Sequence, residues 1–196
     1  MLLPLLFAVL DAGDDQAALI DRLKRRDPDA LDELYKRYGK LVFSLIVRVV
    51  RDSGVAEDLT QETFLRVWNR VQAFDGERGK LGPWLLAIAR NRSIDYLRSV
   101  DGRMSQSSLE LSASEQPGLF VSMDEEVLNS DRGRKLKAAF EHLSQNQRQV
   151  IELAYFEGLS QSEMATKLNQ PLGTVKTWTR AALKVLRDSI GPESAL

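Results

Sequence analysis

Two helical segments carry side chains suited to binding an anionic polymer. The stretch WLLAIARNRSIDYLR at 84–98 sets Arg90, Asn91, Arg92 and Arg98 among apolar residues, with Trp84 and Tyr96 close by. Cationic heads meet phosphates and flat rings offer stacking surfaces to bases, which is what single-stranded nucleic acid requires. The plainer alternative is structural: Trp84 packs in a core, and Arg90 and Arg92 pair with nearby carboxylates. The stretch GTVKTWTRAALKVLRDS at 173–189 exposes Thr174, Lys176, Thr177, Arg180, Ala181, Lys184 and Arg187, and no acidic residue appears before Asp188. A bare cationic helix face fits the major groove of a duplex, where side chains read base edges. Thr174, Lys176, Thr177 and Arg180 stand at the entering end as base or phosphate contacts. Lys184 and Arg187 lie further along, as phosphate or protein-surface contacts. The competing reading is an ordinary helical hairpin with a solvated basic face.

The residues do not assemble into a catalytic constellation. The chain has no cysteine and a single histidine, His142, placed at a helix end. A disulfide scaffold, a thiol nucleophile and a thiolate metal site are therefore excluded. Adjacent carboxylates such as Glu57–Asp58 and Asp124–Glu125–Glu126 point in different directions on a helix and do not converge. There is no glycine-rich phosphate loop. The expectation is a protein that is not an enzyme and needs no cofactor or metal.

The 196 residues, 43% hydrophobic and 28% charged, suit one average domain or two small ones. The formal net charge is only -1, but it is unevenly distributed. Residues 1–20 carry -3, 21–100 carry +4, 101–131 carry -6 and 132–196 carry +4. Two basic modules separated by an acidic connection fit a protein that touches an anionic polymer at two places.

Periodicity supplies the elements that must position these side chains. Leu31, Leu34, Tyr35, Tyr38, Leu41, Val42, Leu45, Ile46 and Val49 form one apolar stripe on a long helix. Asp27 suits its cap and Pro28 its first turn. Asp52-Ser53-Gly54 breaks the pattern. A second helix carries Ala56, Leu59, Thr63, Phe64, Val67, Trp68 and Val71 inward, and a loop at 75–80 leads to Pro83, which opens a third helix running to about Val100. Residues 101–131, rich in serine and acidic groups, read as a flexible linker with a small apolar patch at 119–123. Beyond it, Leu136, Phe140 and Leu143 line a short helix. Ser144 with Gln147 and Ser160 with Glu163 read as two capping boxes, with Leu159 and Met164 placed as a hydrophobic staple. The helix at 161–168, the turn 169–172 and the helix from about Gly173 to Ser189 form a helix-turn-helix. The fold class is all-α: two small helical domains at 16–100 and 132–190, joined by a flexible acidic linker at 101–131.

The leading MLLPLLFAVL is too short to span a bilayer and has no basic residue before it. A packing arm, a partner-binding arm and the product of an upstream start codon all fit it. The expectation is a soluble cytoplasmic protein without membrane insertion.

The stretches AEDLTQETFLRVW at 56–68, PWLLAIARNRSIDYLR at 83–98 and LSQNQRQVIELAYFEGLSQSEMATKLNQPLGTVKTWTRAALKVLR at 143–187 resemble, in order, those of bacterial extracytoplasmic-function sigma factors. The resemblance implies two helical domains, one for the core RNA polymerase and the -10 promoter element, the other for the -35 element. Carried over, Asp58, Gln61, Glu62, Phe64 and Leu65 match the polymerase-docking segment. Asp75, Arg78, Lys80, Arg90, Asn91, Arg92 and Arg98 match the loop and helix that hold the melted -10 strand. Thr174, Lys176, Thr177, Trp178, Arg180 and Lys184 match the -35 reading helix. At 178 this chain has tryptophan where many members have arginine, and both a core role and stacking on DNA suit it. An anti-sigma partner is also implied. The rival reading is a stand-alone helix-turn-helix transcriptional regulator, which would bind its operator without polymerase.

Overall fold

The computed structural model of the chain describes residues 16–76, 79–104 and 131–190. The apolar arm at 1–10, Arg78, and residues 105–130 with the patch at 119–123 lie outside the described residues. All the regular structure described is helical: α1 (Gln16–Lys24), α2 (Pro28–Val50), α3 (Ser53–Arg70), a single 3-10 turn (Val71–Ala73), α4 (Leu81–Met104), α5 (Asp131–Glu141), α6 (Gln145–Phe156), α7 (Gln161–Lys167) and α8 (Leu172–Ile190).

Local chemistry sets the N-terminal boundaries. Asp27, in extended backbone, accepts a hydrogen bond from the Asp29 amide, and Pro28 fills the first turn of α2. Arg51 closes α2 in the left-handed region (φ 60°), and Asp52 immediately caps α3 by accepting from the Val55 amide. Helices α2, α3 and α4 pack on one another, with α1 laid against α2. Leu34, Val42, Ile46, Val67, Leu81 and Leu85 lose all their exposed surface in this core. Burial of each such side chain contributes on the order of 1.5–3 kcal/mol. The start of α4 differs from expectation. The helix begins at Leu81, two residues before Pro83, because the side-chain oxygen of Gln16 accepts the Leu81 amide at 3.0 Å. Helix α1, which the periodicity did not announce, thus caps a helix 65 residues away in the chain. The far end of α4 extends past Val100 to Met104.

The C-terminal bundle follows its caps closely. Both capping boxes form: Ser144 and Gln147 bond reciprocally at the head of α6, and Ser160 and Glu163 at the head of α7. Helix α7 ends with Asn169 in the left-handed region (φ 49°), its amide on Thr166 O and that of Gln170 on Ala165 O at 3.0 Å. This paired closure uses asparagine's tolerance for positive φ and turns the chain sharply into α8. Helix α8 packs on α5, α6 and α7. Val150, Leu153, Met164 and Val175 form the small core that fixes α8 against α6 and α7.

Removing the reciprocal cap at α7 should loosen this bundle measurably. Ser160→Ala is expected to cost about 1 kcal/mol, a fall in Tm of about 2–4 °C. Thermal unfolding followed by circular dichroism checks this, and an unchanged Tm would show that the cap contributes nothing.

Candidate nucleic-acid and polymerase interface

Helix α4 distributes its basic residues over two sides. Arg90, Ile94 and Arg98 recur every four residues and so share one face. Arg92, two positions along, points elsewhere. Its guanidinium grips Glu62 of α3, with Nε at 2.5 Å and Nη2 at 3.4 Å from the two carboxylate oxygens. The pair ties α4 to α3, and the Arg92 hydrogen bond holds the Glu62 carboxyl below its ordinary range. Two residues expected at different interfaces, Glu62 toward the polymerase and Arg92 toward DNA, therefore meet each other.

Arg90 is half-buried. Its Nε donates to Tyr155 O at 2.7 Å, and Nη2 donates to Ala154 O. The guanidinium also sits 5.4 Å from the centre of the Tyr155 ring. Asn91 is exposed, and its side-chain oxygen accepts from Arg90 Nη1 at 3.2 Å. Arg98 is exposed and donates to Gly158 O at 2.9 Å. Three of the expected strand-binding residues, Arg90, Asn91 and Arg98, thus lie together, and Arg90 and Arg98 meet the C-terminal bundle. Asp75 is exposed and Lys80 half-exposed in the segment leading to α4. Trp84 belongs to the wall of the core: its ring lies 4.9 Å from that of Phe74.

On α3, Asp58, Gln61, Glu62 and Leu65 fall on one outward side, with Leu65 57% exposed. Phe64 does not join them. It is buried, tilted against Tyr35 with ring centroids 4.9 Å apart. Tyr35, placed in the buried stripe by periodicity, is instead 51% exposed. The outward surface therefore includes an aromatic residue that pattern reasoning assigned to the core. No local signal marked it: Val42, seven residues on at nearly the same position around the helix, is fully buried.

On α8, Lys176, Thr177, Arg180, Lys184 and Arg187 are exposed and Thr174 half-buried. The Thr177 hydroxyl is turned back onto Gly173 O at 2.9 Å. Trp178 packs against the Val150–Leu153–Met164–Val175 core, so its ring supports α8 from behind. Leu172, 40% exposed at the head of α8, adds an apolar surface beside Thr174 that the sequence reading assigned to the turn. No group of three or more metal-ligating side chains converges among the described residues, and no described helix is long and apolar enough to cross a membrane.

The Glu62–Arg92 pair is partly exposed, so its net contribution is small, up to about 1 kcal/mol. Its sign with pH follows from the lowered carboxyl pKa. The stabilisation is fully present above the ordinary value of 4.5 and is lost as pH falls through the lower folded value. A double-mutant cycle with Glu62→Gln and Arg92→Gln should give a positive coupling at neutral pH that fades in acid; equal coupling at both would contradict the assignment.

Comparison with known proteins agrees with this layout. Residues 34–103 match the family Sigma-70 region 2, and residues 133–186 match Sigma-70, region 4. The chain is 32% identical over 177 residues to the ECF RNA polymerase sigma factor SigK of Mycobacterium sp. (strain KMS), covering 90% of this chain and 91% of that protein. It is 34% identical over 178 residues to the SigK of Mycobacterium bovis (strain BCG / Pasteur 1173P2), covering 91% and 95%. Among solved structures, Rhodobacter sphaeroides SigE in complex with the anti-sigma ChrR is 28% identical, with 91% of this chain and 99% of that chain covered and a TM-score of 0.47. With both sigma regions matched in order and relatives aligned over nearly its whole length, the chain belongs to the ECF RNA polymerase sigma factor family.

Proposed function

We propose that this protein joins core RNA polymerase and directs it to start transcription at specific promoters. The observation that carries the reading is the presence of both sigma regions in order, the second presenting the exposed cationic face of α8. The chain's contribution is recognition rather than bond chemistry. Helix α8 enters the major groove of the -35 duplex. Lys176, Thr177 and Arg180 meet bases or phosphates at its head, and Lys184 meets phosphate further along. Leu172 offers an apolar surface of the kind that meets a thymine methyl. Trp178 acts from the core side, holding α8 in place.

The N-terminal bundle serves the other two contacts. Asp58, Gln61, Glu62, Leu65 and Tyr35 form the polymerase-docking surface, in which exposed apolar groups sit among polar ones as at other protein interfaces. Arg90, Asn91 and Arg98, with the loop bearing Asp75, Arg78 and Lys80, hold the melted -10 strand. Flipping a base costs a few kcal/mol, which strand contacts offset. The acidic segment between the regions suits a path through a basic channel of the polymerase. An anti-sigma protein that masks the polymerase-docking surface is the expected regulator, and the cytoplasm the expected compartment.

Purified core polymerase with this protein should produce new transcription starts on a genomic DNA library, sharing upstream elements at fixed spacing. Specific binding to duplex DNA without polymerase, and no new starts, would favour a stand-alone regulator. At such a promoter, Arg180→Ala is expected to weaken holoenzyme binding by about 1–3 kcal/mol and relax selectivity in the -35 element. An equal loss on every sequence would make Arg180 a phosphate contact only. Leu65→Ala, at an exposed site, should leave stability within about 0.5 kcal/mol yet weaken core polymerase binding by more than about 1 kcal/mol. Unchanged binding in a pull-down titration would remove Leu65 from the docking surface.

A further inference from the structure

Helix α1 holds both ends of the loop that leads into α4. At its head, Gln16 Oε1 accepts the Leu81 amide at 3.0 Å, one residue after Lys80. At its tail, the Lys24 carbonyl accepts from Gln72 Nε2, three residues before Asp75. Gln16 and Lys24 stand at opposite ends of one helix, about 12 Å apart along its axis. The helix itself is fixed to its neighbours. Leu19, Ile20 and Leu23 are buried in the core. Arg22 reaches Asp27 at 2.8 Å and Glu33 at 2.7 Å, at the head of α2. Just past the tail, Arg26 donates to Trp68 O, and its guanidinium lies 5.1 Å from the centre of the Trp68 ring. At the stem of the loop the Phe74 and Trp84 rings meet, 4.9 Å between centroids.

The grip at Leu81 sets where the loop stops. Leu81 has no exposed surface, and an amide in the first turn of a helix has no intrahelical acceptor. Local sequence alone would start α4 at Pro83, whose ring suits the first helical position and carries no amide to satisfy. Gln16 supplies the acceptor that lets α4 begin two residues earlier. Lys80 then sits directly before the first turn, its carbonyl accepting the Trp84 amide at 3.3 Å. Without the Gln16 acceptor, Leu81 and Gly82 join the loop and Lys80 shifts. We propose that Gln16 and Gln72 are positioning residues for -10 recognition: through α1 they fix the span and length of the loop bearing Asp75 and Lys80, and so set how sharply it discriminates the base it holds. Both act through α1 rather than by touching DNA. The inference rests on reading that loop as part of the strand-binding surface. A base pocket discriminates only where its groups are held within a fraction of an ångström of their places, so slack at either end of the loop blurs it.

The acceptor at position 16 provides the test. Gln16→Leu keeps the bulk and removes the acceptor, whereas Gln16→Glu keeps the acceptor. In the full-length protein, hydrogen exchange by NMR should show the Leu81 amide opening about tenfold faster in Gln16→Leu than in the native chain or in Gln16→Glu. Holoenzymes made with each variant are then compared at a mapped promoter and at single-base variants of its -10 and -35 elements, by the rate of open-complex formation. Gln16→Leu should shrink the penalty for a wrong base at one -10 position by about fivefold, leaving the -35 penalties and core polymerase affinity unchanged. Gln16→Glu should keep the native penalty. Gln72→Leu, at an exposed site, should act in the same direction through the other grip, and it carries the test if Gln16→Leu does not fold. An unchanged -10 penalty in the leucine variants would overturn the proposal. So would a Gln16→Glu chain as impaired as Gln16→Leu, or an equal loss at every base and in core binding, which is what mere destabilisation gives. A native protein that yields no promoter-specific starts would overturn the functional reading and this inference with it, while Leu81 exchange still followed the Gln16 variants.

Discussion

The constraint on which the arrangement turns is the end of α6. A helix C-terminus leaves carbonyls without intrahelical partners, and once buried they must find donors elsewhere. Tyr155 and Phe156 are buried, so the α6 terminus cannot rely on solvent alone. Arg90 supplies two donors from α4, and its positive charge also opposes the negative end of the α6 dipole. The left-handed Gly158 then lets the chain leave without a side chain where Ile94 stands. Burial makes Arg90 costlier to ionise and lowers its pKa, and the Tyr155 hydroxyl is pushed well above its ordinary value. The guanidinium stays charged regardless.

Much of the fold was legible because its signals are local. The two capping boxes, the Asp27–Pro28 start and the turn at Asn169 each depend on residues within a few positions of one another. Helix α8 with its exposed basic residues was equally legible, since its cationic run needs no knowledge of tertiary packing. What periodicity could not resolve were edges. Periodicity placed both Tyr35 and Phe64 inward; Phe64 is buried as it predicted, whereas Tyr35, tilted against that ring, is half outside. Trp178 likewise lies between the reading face and the core, and the small cluster behind α8 takes it.

Long-range polar contacts were the least legible. Nothing near Gln16 indicates that its side chain caps a helix beginning at Leu81. Arg90 and Arg92 look equivalent in sequence, yet one meets helix carbonyls of region 4 and the other a carboxylate of α3. The two-residue step on a helix sends them to different sides, and the partner on each side decides their chemistry. The near-zero net charge conceals this: the acidic stretches 1–20 and 101–131 offset two basic blocks, and α8 keeps an exposed cationic face.

The central claim is the proposed one, that the α4 surface around Asn91 meets the melted -10 strand in the promoter complex. A photo-crosslinking amino acid at Asn91, exposed beside Arg90, tests it most directly, in the free chain and again in the open complex at a mapped promoter. The expected result is a crosslink to the -10 strand in the open complex that the free chain mixed with the same duplex does not give. No crosslink to the strand in an open complex that forms normally would contradict it.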